Sequence, residues 1–126
     1  MKKKQIGVFD FIPTDCAYTA QVIREWYGVE RAEVTEHTVM QDFVYAFKER
    51  RDSGDPYDMV FICADDMMGV ETAHNIREMD GECPIFLVSS VDDFSIEAFR
   101  LHVLDYLTKP VSPERIGRAI SRIKFI

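Results

Sequence analysis

Short runs of apolar residues alternate with longer segments of helical periodicity five times along the chain. In the third and fourth runs nearly every position is apolar, as expected of strands that are covered on both faces. Polar residues, glycine or proline separate each run from the helical segment that follows it. The pattern predicts five strands, at residues 5–10, 32–35, 59–64, 84–89 and 104–107.

The segments between these runs carry apolar residues three or four positions apart, which predicts five helices. The first is expected to start after Pro13 and to stop at Gly28, because proline suits the first turn of a helix and glycine suits its end. The last is expected to begin with Ser112 as its N-cap and Pro113 in its first turn. The three helices between them are expected near residues 39–51, from Gly69 onward, and near residues 94–101.

Strands and helices that alternate at this length predict an α/β domain with a parallel sheet and helices on both faces. Five strands are typical of the flavodoxin-like, doubly wound order 2-1-3-4-5. In such sheets a site forms at the carboxyl ends of the strands, where the order reverses between strands one and three. The residues expected at those ends are Asp10, Phe11, residues 63–66, Ser89, Ser90 and Lys109.

An acid, a hydroxyl and a lysine at three separate strand ends indicate a site that handles a phosphoryl group. Lys109 would neutralise a phosphate oxygen, and Ser89 would donate a hydrogen bond to it. Asp10 would help to hold a metal ion. The three residue types are informative together, whereas each alone has many simpler roles.

The segment 84–113 resembles the LytTR-type branch of the response regulator receiver domains, and the likeness extends over nearly the whole chain. The resemblance rests on the sequences PIFLVSS at 84–90, DFSIEAF at 93–99 and LDYLTKPV at 104–111. It implies one receiver domain over residues 1–126 with the CheY-like fold. It also implies that Ser89 is the switch hydroxyl, Tyr106 the rotating switch aromatic residue and Lys109 the phosphate-binding lysine.

The other half of the pocket departs from the family's pattern. The family has paired acids after its first strand, and here Asp10 is followed by Phe11, which replaces the usual direct magnesium ligand. The phosphoacceptor aspartate is expected five residues after the Tyr-Asp pair at 57–58, and that position is Cys63. The family's loop from the acceptor to the next glycine is also longer than the one from Cys63 to Gly69.

These departures change the expected chemistry. Phenylalanine offers magnesium no ligand and a neutral thiol is a poor one, so only Asp10 and Asp66 are candidate metal ligands and no other cofactor is expected. Ordinary phosphotransfer at Cys63 is not expected, because a thiol is mostly protonated at neutral pH. An alternative acceptor is Asp65, which would face the same way as Cys63, about 6.6 Å further along, if the third strand ran two residues longer.

Several of these residues also have simpler structural interpretations. Lys109 would pair with Asp10 when no phosphate is bound, and the resemblance favours a cis bond before Pro110. Asp65 and Asp66 would be solvated loop acids that cap the following helix, and Cys63 would be a buried, small apolar residue.

Composition narrows the function classes further. Among the 126 residues, 47% are hydrophobic and 29% charged, which is ordinary for a globular domain, and the net charge of -7 argues against a nonspecific nucleic-acid or membrane surface. The three cysteines are widely spaced and lack a CxxC motif, so reduced thiols are expected. No apolar run approaches the ~18–20 residues that span a bilayer, so a cytoplasmic chain is expected.

The sequence therefore predicts a receiver domain of a two-component, LytTR-type transcriptional regulator that acts by protein contacts and is not an enzyme. Aspartyl phosphorylation is expected to be atypical or absent, as in a pseudo-receiver, and no output domain is visible before Ile126. The expected partners are a sensor histidine kinase or another signalling protein, and a second copy bound through the fourth helix, fifth strand and fifth helix; DNA would be bound only through an output domain.

Two alternatives stay open. The first is a conventional receiver that is phosphorylated on Asp65. The second is a flavin or thiol redox protein on the same fold, which the glycine-free loop at 11–15 disfavours, since flavin phosphate sites use loops rich in Gly, Ser and Thr. The arginines Arg115, Arg118 and Arg122 on the last helix form either a solvated face or a partner contact.

Overall fold

The computed structural model describes residues 2–123. Their five strands form one sheet in the order β2-β1-β3-β4-β5. Its strands are β1 (Lys4–Phe9), β2 (Ala32–His37), β3 (Met59–Cys63), β4 (Ile85–Ser89) and β5 (Asp105–Thr108). Every neighbouring pair is parallel. The expected α/β fold and strand order are confirmed.

Five helices cover the two faces of this sheet. They are α1 (Pro13–Tyr27), α2 (Met40–Asp52), α3 (Met67–Met79), α4 (Ser95–Arg100) and α5 (Pro113–Ile120). Buried side chains of α1 and α5 pack against one face, and those of α2, α3 and α4 pack against the other. Helices on both faces are what a doubly wound sheet requires.

The central strand shows why its sequence is apolar at every position. Met59 and Phe61 face the layer of α1 and α5, whereas Val60 and Ile62 face the layer of α2 and α3. All five residues of β3 are buried. Because successive side chains point to opposite faces, a strand covered on both sides needs apolar residues throughout.

Helix ends follow the local sequence signals. The Ser112 hydroxyl accepts a hydrogen bond from the first turn of α5, and Pro113 is its first residue, as predicted. Gly28 ends α1 with a φ of 84°, which a residue without a Cβ adopts without strain.

α1 and α5 approach closely where the half-exposed Trp26 ring lies over Gly117, and a Cβ on Gly117 would stand 2.5 Å from the ring. Trp26 therefore packs between helices.

The start of α3 differs from the prediction. The helix begins at Met67, two residues before the expected Gly69. The Asp66 carboxylate makes this possible, because it accepts hydrogen bonds from the backbone N–H groups of Met68 and Gly69. These are donors that no residue within the helix satisfies. The capping role proposed for Asp66 is confirmed.

The connection from β3 to α3 is very short. β3 ends at Cys63, one residue before the predicted end, so it does not run on to Asp65 as the alternative acceptor required. Gly69 lies directly against the strand end: a Cβ on it would stand 1.9 Å from the carbonyl oxygen of Cys63 and 2.7 Å from Cα of Ala64. Only glycine fits this approach without moving the backbone.

The last helix ends earlier than its apolar stripe. α5 stops at Ile120, although Ile123 beyond it still packs against the core beside Ile120. Residues 124–126 lie outside the described part of the chain. Within residues 2–123, the helices all fall short of the length and apolarity that a bilayer-spanning segment needs.

Candidate functional site

The predicted site residues meet at the carboxyl edge of the sheet. Asp10 directly follows β1, Cys63 ends β3, Ser89 ends β4, and Lys109 directly follows β5. The Lys109 N–H donates a backbone hydrogen bond to the Ser89 carbonyl, which continues the pairing of β4 and β5 into the site. The topology thus brings residues that are far apart in sequence to one crevice.

The ammonium group of Lys109 is the centre of the site. Its Nζ lies 2.7 Å from Asp10 Oδ2, 2.8 Å from Asp65 Oδ2 and 3.0 Å from Asp15 Oδ2. An ammonium has three N–H donors, so three carboxylates occupy all of them. Burial alone would lower the pKa of Lys109, but the three carboxylates outweigh it and raise the pKa above the ordinary lysine value.

The predicted pairing of Lys109 with Asp10 is therefore confirmed, and the peptide bond from Lys109 to Pro110 is cis, as predicted. Both partners are deeply buried, with 9% of the Lys109 side chain and 3% of the Asp10 side chain exposed. A buried ion pair needs such close geometry, because both charges have lost most of their hydration.

Asp65 reaches the same lysine from the β3–α3 connection. Its Oδ1 accepts hydrogen bonds from the Ser90 N–H at 2.6 Å and the Ser90 hydroxyl at 2.9 Å. The Ser89 hydroxyl lies 3.1 Å from the same oxygen and 3.0 Å from the Ala64 carbonyl oxygen, and its single proton is shared between these two acceptors. Burial alone would raise its pKa, but the hydrogen bonds from Lys109 and from Ser90 hold the pKa well below the usual aspartate range. Asp65 is thus a fixed anion, held by two strand ends.

The position expected for the phosphoacceptor holds a buried thiol. Cys63 is 5% exposed, and burial raises its pKa to about 12. Asp65 and Lys109 lie near enough to act on it electrostatically, but burial has the larger effect. The thiol is therefore protonated at neutral pH, as expected if Cys63 serves as a buried, small apolar residue.

The weaker metal-ligand candidate, Asp66, is engaged elsewhere, and Phe11 replaces the usual ligand as predicted. The Phe11 ring packs edge-on against Phe9 with 5.0 Å between the ring centroids, and it offers no donor atom. The Asp66 carboxylate is engaged as the cap of α3. Within the described range 2–123, no cluster of three or more His, Cys, Asp or Glu side chains has an arrangement suited to a metal ion.

A hydrogen-bonded path runs from the site to β5. The Ser89 hydroxyl, which contacts Asp65, accepts a hydrogen bond from the Val91 N–H at 3.0 Å. The Val91 carbonyl in turn accepts from the Tyr106 hydroxyl at 2.9 Å. The partly buried Tyr106 packs against the hydrophobic core on the face of the sheet that α2, α3 and α4 cover. The predicted switch hydroxyl and switch aromatic residue are therefore linked through a single loop residue.

Sequence reasoning missed Asp15. This acid lies in the first turn of α1, and its carboxylate reaches Lys109 from 94 positions away in the chain. The prediction rests on strand ends, whereas an acid in the first turn of a helix has a sufficient local explanation in the helix dipole. A cavity of about 510 Å³ opens beside this ion pair. It is lined by Thr14, Asp15, Tyr18, Thr19, Ser90, Lys109 and Pro110.

The arginine face of α5 is partly engaged within the chain. Arg115 makes a two-pronged contact with the Asp105 carboxylate, with both N···O distances at 2.7 Å. Arg122 Nε lies 3.1 Å from the same carboxylate. On α4, which precedes β5 and covers the other face of the sheet, Ile96 and Phe99 are exposed, the latter by 82%. The surface around β5 therefore combines neutralised charge with exposed apolar side chains.

Sequence comparison finds similarity to a group of staphylococcal regulators, and no protein-family model matches the chain. The chain is 34% identical over 70 residues to the sensory transduction protein LytR of Staphylococcus haemolyticus, a match that covers 54% of this chain and 27% of that protein. It is 27% identical over 97 residues to LytR of Staphylococcus epidermidis, covering 75% of this chain and 34% of that protein. The chain thus spans about a third or less of these relatives' length.

Structural comparison finds the same fold in proteins of low sequence identity. A CheY-like response regulator receiver domain protein from Methanospirillum hungatei superposes with a TM-score of 0.77 at 16% identity, covering 95% of this chain and 92% of that one. A response regulator from Thermotoga maritima gives a TM-score of 0.74 at 18% identity, covering 95% and 99%. The chain has the receiver-domain fold, and its sequence is similar to that of the LytR regulators.

Proposed function

We propose that this chain is the receiver domain of a LytR-type response regulator that signals through protein contacts without conventional aspartyl phosphorylation. The observation that carries the proposal is the set of three carboxylates around the Lys109 ammonium. Each of its N–H donors already has an internal partner, so none is free for an incoming phosphoryl group. The similarity to LytR proteins and the receiver fold support the assignment to this class.

The residue at the acceptor position supports the absence of ordinary phosphotransfer. A nucleophile must be deprotonated and accessible to attack phosphorus. The Cys63 thiol is buried and its pKa is raised to about 12, so it meets neither condition. The same facts argue against a thiol redox enzyme, because reactive cysteines have lowered pKa values and are partly exposed.

The carboxylates of the crevice also fit magnesium poorly. Mg²⁺ requires near-octahedral oxygen ligands. Here the carboxylates of Asp10, Asp15 and Asp65 converge on an ammonium, which supplies the positive charge that a divalent ion would otherwise supply. Phe11 adds no oxygen on the β1 side. The set of donors is matched to a lysine, and we infer that signalling does not depend on bound magnesium.

Phosphorylation of Asp65 is the second candidate function. Its carboxylate lies in the crevice beside Lys109, and 26% of the side chain is exposed, so a donor could approach it. However, both of its oxygens accept hydrogen bonds, and its pKa is strongly lowered. A carboxylate stabilised in this way is a weak nucleophile, since the attack must first break those contacts.

Intact-mass measurement tests the proposal. The purified chain is incubated with magnesium and a small phosphodonor, beside a receiver domain with a complete acidic pocket as positive control. We expect the control to gain one phosphoryl mass and this chain to gain none. A stoichiometric, magnesium-dependent adduct that disappears in Asp65→Asn would establish the second candidate instead.

The contact surface is proposed to be α4, β5 and α5, with a second copy of the chain, a kinase or another signalling protein as partner. Exposed Phe99 and Ile96 on α4 support this choice. DNA binding would belong to a further domain of a longer regulator. In sedimentation experiments, the Phe99→Asp variant should self-associate less than the unsubstituted chain. Tyr45→Asp, at an exposed site on α2, is the matched control. Equal self-association of all three proteins would place the contact elsewhere.

A further inference from the structure

The donors around Asp65 form a built oxyanion site. One ammonium, two hydroxyls and one backbone N–H converge on a single carboxylate, at distances from 2.6 to 3.1 Å. These donors come from the ends of β4 and β5, and the acceptor comes from the β3–α3 connection. Charged donors and a backbone N–H arranged in this way bind phosphate and sulfate in many proteins.

We propose that Ser89, Ser90 and Lys109 form an oxyanion-binding cradle whose permanent occupant is the chain's own Asp65 carboxylate. The inference rests on the proposed function, since it explains how the crevice is organised in the absence of phosphorylation. Asp65 supplies a negative charge that neither exchanges nor hydrolyses. The cradle is thereby held in its anion-bound arrangement at all times.

The occupied cradle fixes the loop after β4. The Ser90 N–H donates a hydrogen bond to Asp65 Oδ1. The Ser89 hydroxyl oxygen, which also lies beside Asp65, accepts a hydrogen bond from the Val91 N–H. Val91 then presents its carbonyl to the Tyr106 hydroxyl. The position of the Tyr106 hydroxyl therefore depends on the Asp65 carboxylate through a chain of three hydrogen bonds. A constant anion implies a constant conformation of this surface.

Removing the internal carboxylate should open the cradle to an external oxyanion. Ser90 and Lys109 also line the cavity of about 510 Å³ beside the site, so an ion from solvent has a way in. In Asp65→Ala the Lys109 ammonium keeps Asp10 and Asp15 but loses its third acceptor. The freed N–H, the two hydroxyls and the Ser90 amide then match a tetrahedral oxyanion such as sulfate.

The test uses inorganic sulfate, which cannot transfer a phosphoryl group. Amide NMR spectra of the unsubstituted chain, Asp65→Ala and the surface control Asp93→Asn are recorded with and without sulfate. We expect Asp65→Ala alone to shift the Ser90 and Val91 amides and the Tyr106 signals, and sulfate to return them toward their original positions. Sulfate should leave the other two proteins unchanged. Exchange of the Ser90 amide with solvent should be about 10-fold faster in Asp65→Ala without sulfate.

Three results would overturn the inference. Unchanged Ser90 and Tyr106 signals in Asp65→Ala would contradict the proposed link from Asp65 to Tyr106. A change in the Ser90 signal of the unsubstituted chain on adding sulfate would show that the cradle is not permanently filled. Failure of sulfate to act on Asp65→Ala would show that the donors do not form an oxyanion site. If Asp65→Ala does not fold, Asp65→Ser, which keeps a small polar side chain but removes the carboxylate from the cradle, gives the same readouts. The intact-mass measurement separately tests the absence of phosphorylation.

Discussion

Replacing Lys109 with methionine removes one ammonium and leaves its carboxylate partners in place. The side chain length is nearly kept, so the change tests charge more than packing. Asp10 is the partner most affected, because only 3% of its side chain is exposed, and it would keep just the hydrogen bond from the Ile12 N–H. Asp65 retains its serine donors, and the Asp15 side chain is 40% exposed to solvent.

The expected loss follows from this burial. Removing one partner of a buried ion pair costs about 3–5 kcal/mol, because the other charge is left uncompensated. A domain of this size has a total stability of only about 5–15 kcal/mol, so the variant should be folded but markedly less stable. Lys48→Met is the matched control. Lys48 pairs with Asp52 on the surface of α2 with both side chains 67% exposed, and its loss should cost less than about 1 kcal/mol.

The pH dependence gives an independent check of the mechanism. The pKa of Lys109 is raised on folding, so its contribution is full below the unfolded value of ~10.4 and is lost as the pH rises through the folded value. The pKa of Asp65 is lowered, so its contribution is full above ~3.9 and is lost as the pH falls through the folded value. The stability gained from this cluster is therefore constant between about pH 5 and 9.

Urea unfolding followed by circular dichroism measures the effect at neutral and acidic pH. We expect Lys109→Met to lose about 3–5 kcal/mol at neutral pH, and the gap to narrow as the pH falls below about 5, because the hydrogen bond from Lys109 no longer lowers the pKa of Asp65 in the variant. A gap below about 1 kcal/mol at neutral pH, or one that does not change with pH, would show that the ion cluster is not what stabilises the crevice.

Three further substitutions or measurements test neighbouring features. Gly117→Ala should lower the free energy of unfolding by about 1–3 kcal/mol, because the added Cβ would stand 2.5 Å from the Trp26 ring, whereas Gly81→Ala meets no atom within 4 Å and is the control; equal urea midpoints would contradict the close helix packing. The Cys63 thiol should react with a thiol-specific reagent far more slowly in the folded than in the unfolded protein, as its burial and pKa of about 12 require, and similar rates would show that it is accessible. Ser112→Ala should cost about 1 kcal/mol in the same urea assay through loss of the α5 cap, and no change would mean that water replaces the hydroxyl.

Apolar periodicity was sufficient to predict the sheet and its order, because buried parallel strands need continuous apolar runs that few other structures require. The same reasoning brought Asp10, Ser89 and Lys109 together, since each stands at a strand end and the topology places those ends at one edge. Strand and helix boundaries shifted by one or two residues, as at Cys63, where the capping carboxylate of Asp66 and a close glycine decide where the chain turns.

The roles of Asp15 and Asp65 could not be read from sequence. Asp15 is an ordinary acid in a first helical turn, and nothing near it in sequence indicates that its partner lies 94 positions away. Asp65 was expected in the crevice only if β3 were longer, but it reaches the lysine from a loop whose path depends on tertiary packing. Local patterns predict elements, whereas side chains that leave those elements are placed by the contacts of the whole fold.

The close approach of Gly69 to the end of β3 limits how this crevice could change in evolution. With the backbone of α3 seated on the Cys63 carbonyl, a carboxylate introduced at position 63 alone would lie under a helix end, without the longer connection that the family places there. Seating an aspartate acceptor at this strand end would thus require an insertion in the loop as well as a substitution.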